Sequence, residues 1–88
     1  MRSRVAAWIA RREAVLDETA AAWVRFARAE GWSPSDVAAL WDGLTEDLVR
    51  RYARPGPGDD ATRARAVRGD VLAAMAALRE RILGGLGP

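Results

Sequence analysis

The sequence predicts an all-α fold, a three-helix antiparallel bundle with a long first helix, which homodimerisation could complete. Three observations lead to this prediction. Of the 88 residues, 19 are Ala and 14 are Arg, and both residue types favour helix strongly. Two clusters of Gly and Pro divide the chain into three segments, and each segment repeats apolar residues at helical spacing. The connections between segments are short, so consecutive helices are expected to lie side by side.

The first helix is predicted from about residue 3 to about residue 30. At about 1.5 Å per residue it would span about 40 Å and exceed both of its partners, so its N-terminal portion is expected to project beyond the bundle. One apolar stripe runs along its length and is expected to face the core. This stripe contains Val5, Trp8, Ile9, Val15, Leu16, Thr19, Trp23, Phe26 and Ala27.

The second helix is predicted over about residues 34–54, after a break with recognisable capping residues. Gly31 suits a left-handed position at the end of the first helix. Ser33 is a good N-cap residue, and Pro34 fits the first helical position. Its expected core residues are Val37, Leu40, Trp41, Leu44, Leu48 and Tyr52.

The third helix is predicted over about residues 60–83, because Pro55 to Gly58 stop any helix before it. Its expected core residues are Ala64, Val67, Val71, Met75, Leu78 and Ile82. Three glycines in the last five residues predict a flexible tail over 84–88. Residues 1–83 are therefore interpreted as a single helical domain.

The composition argues against enzymatic chemistry. There is no His and no Cys, so the usual imidazole base, thiolate nucleophile and zinc ligands are missing. Glu13 and Asp17 share a helix face, and we interpret such carboxylates as partners in helical ion pairs with nearby arginines. We therefore expect no catalytic residue, no metal and no cofactor. Without an apolar run of membrane-spanning length or a signal-peptide pattern, a cytoplasmic location and no membrane association are expected.

Arg12 interrupts the apolar stripe of the first helix between Ile9 and Leu16. A buried, unpaired guanidinium would be costly. Either its methylenes lie on the core while the charged end reaches water, or this stretch faces another chain. That chain would be a partner carrying a carboxylate, or a second copy of the protein. Arg12 is therefore a candidate interface residue.

The four tryptophans are also candidates for core or interface. Trp8, Trp23 and Trp41 lie on the predicted core stripes and are expected to be apolar fillers, although Trp8 is also kept as an interface candidate. Trp32 lies in the turn beside Gly31. It could cover the end of the bundle or stand exposed as an interface anchor.

The third helix carries a second row of small residues on the side away from its core stripe. Helix propensity on a solvent face explains such a row, and close approach of another helix is the alternative. Val24 and Val49 likewise fall off the stripes of their helices. The interface candidates on this helix are Leu72, Ala73 and Leu83.

Residues 36–52 resemble a helix-turn-helix DNA-binding motif, with Gly43 at the turn. In that resemblance three arginines would meet phosphates or base edges, namely Arg50, Arg51 and Arg54. We prefer one unbroken helix, in which the apolar residues share one side and Gly43 lies outside. The predicted function is a small non-enzymatic module that binds a protein partner or itself in a regulatory or assembly role. A DNA-binding transcriptional regulator is the alternative.

Overall fold

The computed structural model of the chain describes residues 4–53 and 61–87, which form three α-helices. Helix α1 spans Arg4–Glu30, α2 spans Pro34–Tyr52 and α3 spans Ala61–Leu86. The predicted all-α bundle is confirmed. The start of α2 agrees with its predicted position, and α3 runs three residues past its predicted end at residue 83. The predicted start of α1 at residue 3 lies outside the described residues.

Helix α3 is the central element of the bundle, because α1 and α2 both pack against it. The arrangement is flat, with principal extents of 45 × 40 × 17 Å. A layer this thin encloses few residues. The buried core cluster consists of Ala20, Ala27, Val37, Trp41, Met75 and Ile82.

Trp41 joins α2 to α3 at the centre of this core. Its indole Nε1–H donates a hydrogen bond to the Met75 carbonyl oxygen over 2.8 Å. The Trp23 ring of α1 meets the Trp41 ring edge-on, with centroids 5.4 Å apart. Trp41 is 3% exposed, so it confirms the expectation of an apolar filler. Its polar N–H is satisfied inside the core, as a buried indole requires.

The turn between α1 and α2 follows the predicted capping chemistry. Gly31 has φ +74°, and the Trp32 N–H donates to the Ala27 carbonyl over 2.8 Å, which is a Schellman closure of α1. At the start of α2, the Asp36 N–H donates to the Ser33 hydroxyl and the Ser33 N–H donates to the Asp36 carboxylate. These two bonds form a reciprocal capping box. The hydrogen bonds from the Ser33 backbone and hydroxyl hold the pKa of Asp36 below its usual value.

The predicted flexible tail is wrong for residues 84–86, because α3 continues through both glycines to Leu86. Gly85 lies against Val24 of α1, where an added Cβ would come 2.8 Å from the valine methyl group. The Arg28 guanidinium donates a hydrogen bond to the Gly85 carbonyl over 2.8 Å. Gly87, at φ +79°, follows the helix end. The glycines therefore permit close helix packing and a left-handed residue, and they do not fray the helix.

Only part of the predicted core stripes is covered. The buried residues of α1 begin at Leu16, and every residue from 4 to 15 is exposed. The reason lies in how α1 meets α3, because the contacts of Val24 and Arg28 with Gly85 join the C-terminal part of α1 to the last turns of α3. The predicted core residues that are exposed instead are Val5, Trp8, Ile9, Val15, Phe26, Leu40 and Tyr52.

Candidate interaction surface

The first three turns of α1 carry an exposed apolar surface, which we call the α1 stripe. It consists of Val5, Trp8, Ile9, Arg12 and Val15, whose positions fall on one side of the helix. The four apolar members are 65%, 54%, 48% and 59% exposed, in that order. Large apolar side chains on one helix face usually lie against another element. Here this part of the face is uncovered, although Leu16 on the same side of the helix is buried.

Arg12 lies over the Trp8 ring, with its guanidinium carbon 5.6 Å from the ring centroid. Such a position is typical of a cation–π contact. Arg12 is exposed, so its charge is hydrated and no buried unpaired guanidinium arises. The charged end therefore reaches water in the single chain, which both alternatives allow. The alternative, that this stretch faces another chain, stays a prediction.

A shallow depression of about 380 Å³ lies within the α1 stripe. It is lined by Trp8, Arg12 and Val15 of the stripe together with Arg11 and Leu16. Leu16 is buried and forms part of the lining, while the surrounding side chains are exposed. The stripe therefore contains a depression that an apolar side chain from another molecule could fill.

Arg81 of α3 fixes the middle of α1 next to the α1 stripe. Its Nε donates to the Asp17 carboxylate over 2.8 Å, and its Nη2 forms an ion pair with Glu13. The pKa of Arg81 is raised, and the hydrogen bond to Asp17 is the main cause. The prediction that Glu13 and Asp17 pair with arginines nearby on their own helix is wrong, because their partner is Arg81. A contact between residues 64 positions apart leaves no local signal in the sequence.

Trp32 covers one end of the bundle. It is half-buried and packs against the core cluster. Its ring meets the exposed Phe26 ring edge-on, with centroids 5.6 Å apart. A surface depression of about 590 Å³ beside it is lined by Trp32, Asp36, Ala39 and Leu40. Of the two predicted roles, the structure therefore supports the covering role for Trp32.

The candidate residues on α3 do not form one surface. Leu83 is half-buried and packs against the core, so it is part of the fold. Leu72 is 38% exposed, and Ala73 beside it is also exposed. Val24 and Val49 are half-buried, and Val24 packs against the core, which the helical stripes did not predict. The α1 stripe is therefore the more extensive of the two apolar candidates.

The structure has no turn at Gly43, where a helix-turn-helix motif would require one. Helix α2 is continuous from Pro34 to Tyr52 and passes through Gly43, which confirms the preferred single helix. Arg50 and Arg51 are exposed at the C-terminal end of α2, and Arg50 lies 3.9 Å from Asp47. Arg54 lies outside the described residues. DNA binding itself stays an untested prediction.

The fold and the exposed stripe define a three-helix bundle with an uncovered apolar helix face. No family model matches the chain, and no significant match to it exists among curated proteins or solved structures. Within residues 4–53 and 61–87, no helix has the length and apolar character needed to cross a membrane. The same residues bring together no group of three side chains able to hold a metal ion.

Proposed function

We propose that this protein is a non-enzymatic interaction module that binds a protein partner or itself in a regulatory or assembly role. The α1 stripe is its binding surface. The observation that carries this proposal is the exposure of Val5, Trp8, Ile9 and Val15, each about half or more, on one side of a helix outside the core.

The size of this surface supports the proposal. Four large apolar side chains at this exposure present about 400 Å². The largest apolar patches on monomeric proteins cover about 300–600 Å² and are often functional. Aromatic residues and arginine are also the residue types that contribute most at protein interfaces. Trp8 and Arg12 are adjacent members of the stripe, in contact with each other.

Site-specific photo-crosslinking tests the proposal. A photoreactive phenylalanine derivative replaces Val15 in one variant and Ala14 in a matched control. Ala14 is also exposed, but it lies on another side of α1. The variants are irradiated in an extract of the cells that produce the protein. We expect protein adducts from position 15 and few from position 14. Absence of adducts at position 15, or equal labelling at both positions, contradicts the proposed surface.

A further inference from the structure

We infer that the α1 stripe binds a second copy of this chain, with the two α1 helices antiparallel and Val5 of each copy facing Val15 of the other. This inference rests on the proposed function, because it names the partner of the same surface. Three features support it: the positions of the charges beside the stripe, the place of Arg12 within it, and the available apolar area.

The charges beside the stripe suit an antiparallel partner of identical sequence. Arg4, Arg11 and Glu18 are spaced seven residues apart, so they lie in one row along the flank of the stripe. All three are exposed. When two such rows run in opposite directions, Arg4 of each copy comes beside Glu18 of the other. The symmetry of a dimer forms this ion pair twice.

Arg12 has a favourable place in the same arrangement. If Val5 faces Val15, then Trp8 of each copy faces Arg12 of the other. The guanidinium, which already lies 5.6 Å from the Trp8 ring of its own chain, would then lie between two indole rings. Cation–π attraction strengthens when the charge is partly shielded from water. A parallel pair in register would instead bring Arg12 against Arg12 within the stripe itself. The antiparallel pair brings like charges together only on the flank, at Arg11, and this difference favours the antiparallel direction.

The exposed area sets the expected strength of the dimer. About 400 Å² of apolar surface per copy is half of the roughly 800 Å² per partner that a standard interface buries. The flanking Arg and Glu side chains add further contact area. We therefore expect a concentration-dependent dimer with a Kd on the order of micromolar.

The test is a charge exchange monitored by sedimentation equilibrium over a range of protein concentrations. The wild-type protein should rise from 9.6 kDa towards twice that mass with increasing concentration. Arg4→Glu and Glu18→Arg should each weaken the dimer about tenfold. The double variant Arg4→Glu with Glu18→Arg recreates both pairs and should restore the dimer. Because both residues are exposed, circular dichroism should show unchanged helix content in all three variants.

Two controls separate this pairing from non-specific association. Ala14→Glu changes an exposed residue away from the stripe and should leave the dimer unchanged. Arg11 lies midway along the charged row, so the two copies of Arg11 would meet at the symmetry axis. Removing that repulsion with Arg11→Ala should tighten the dimer severalfold. A weaker dimer in this variant would contradict the antiparallel arrangement.

The remaining outcomes are also decisive. A protein that stays at 9.6 kDa at all concentrations overturns the second copy as the partner. A dimer that persists in both single variants, or fails to return in the double variant, overturns the antiparallel pairing. The proposed function is judged separately by the crosslinking experiment. Adducts to other proteins at position 15, together with a monomer in sedimentation, would preserve that function and exclude only self-association.

Discussion

Substituting the two neighbouring glycines near the end of α3 tests how closely α1 and α3 pack. Both Gly84 and Gly85 are helical, but an added Cβ meets nothing within 4 Å at Gly84 and lies 2.8 Å from Val24 at Gly85. Gly84→Ala should stabilise the protein by about 0.5–1 kcal/mol through helix propensity. Gly85→Ala gains the same term but forces Val24 to move, at a cost of about 1–3 kcal/mol. We therefore expect Gly85→Ala to destabilise the protein relative to Gly84→Ala by about 1–3 kcal/mol.

Urea denaturation followed by circular dichroism measures this difference, because both variants unfold from the same helical state. The double variant Val24→Ala with Gly85→Ala removes the methyl group that the new Cβ would meet. A favourable coupling energy between the two substitutions is therefore expected. If Gly85→Ala stabilised the protein as much as Gly84→Ala does, the close approach of α1 to α3 at this point would be refuted.

Three further predictions address the core, the start of α2 and its continuity. Trp41→Phe removes a buried indole and its hydrogen bond to Met75, and it should lower the free energy of unfolding in urea by about 2–3 kcal/mol. Hydrogen bonds from Ser33 lower the pKa of Asp36 in the folded protein. The ionised carboxylate therefore stabilises the fold above the unfolded pKa of about 3.9. This stabilisation is lost as the pH falls through the lower pKa of the folded state. Thermal midpoints measured below about pH 4 should therefore fall more steeply for the wild type than for Asp36→Asn. Gly43→Ala should raise the free energy of unfolding by up to about 1 kcal/mol because Gly43 is mid-helix with open space around it; a loss of stability would indicate a turn there.

The helices and the turn between α1 and α2 could be predicted because their signals are local. Gly31, Ser33 and Asp36 lie within six residues and form bonds with their near neighbours. The apolar periodicity also identified Val37 and Trp41 correctly as core residues. Each of these inferences needs only the geometry of one helix or one turn.

The relative placement of the helices could not be predicted in the same way. Periodicity shows which face of a helix is apolar, but it does not show which part of that face another helix covers. Val5 and Trp8 therefore fall on the same apolar stripe as Leu16 in the sequence, although only Leu16 is buried. The contact of Arg81 with Asp17 and the fit of Gly85 against Val24 depend on residues distant in sequence. Without the geometry of α3, the glycines of residues 84–88 predict a flexible tail that includes Gly85.

The extension of α1 beyond the core has a composition that explains why it is helical without being covered. Residues 4–15 include four alanines and three arginines, and they continue a helix whose later turns are packed, so no separate nucleation is needed. Helix propensity and ion pairs at helical spacing can hold a solvent-exposed helix together without large apolar side chains. This one carries Val5, Trp8, Ile9 and Val15 on one side. A partner would therefore meet a helix that is already formed, and binding would not carry the entropic cost of ordering a coil. The apolar face and the preformed helix are therefore the two properties of these twelve residues on which the proposed binding role depends.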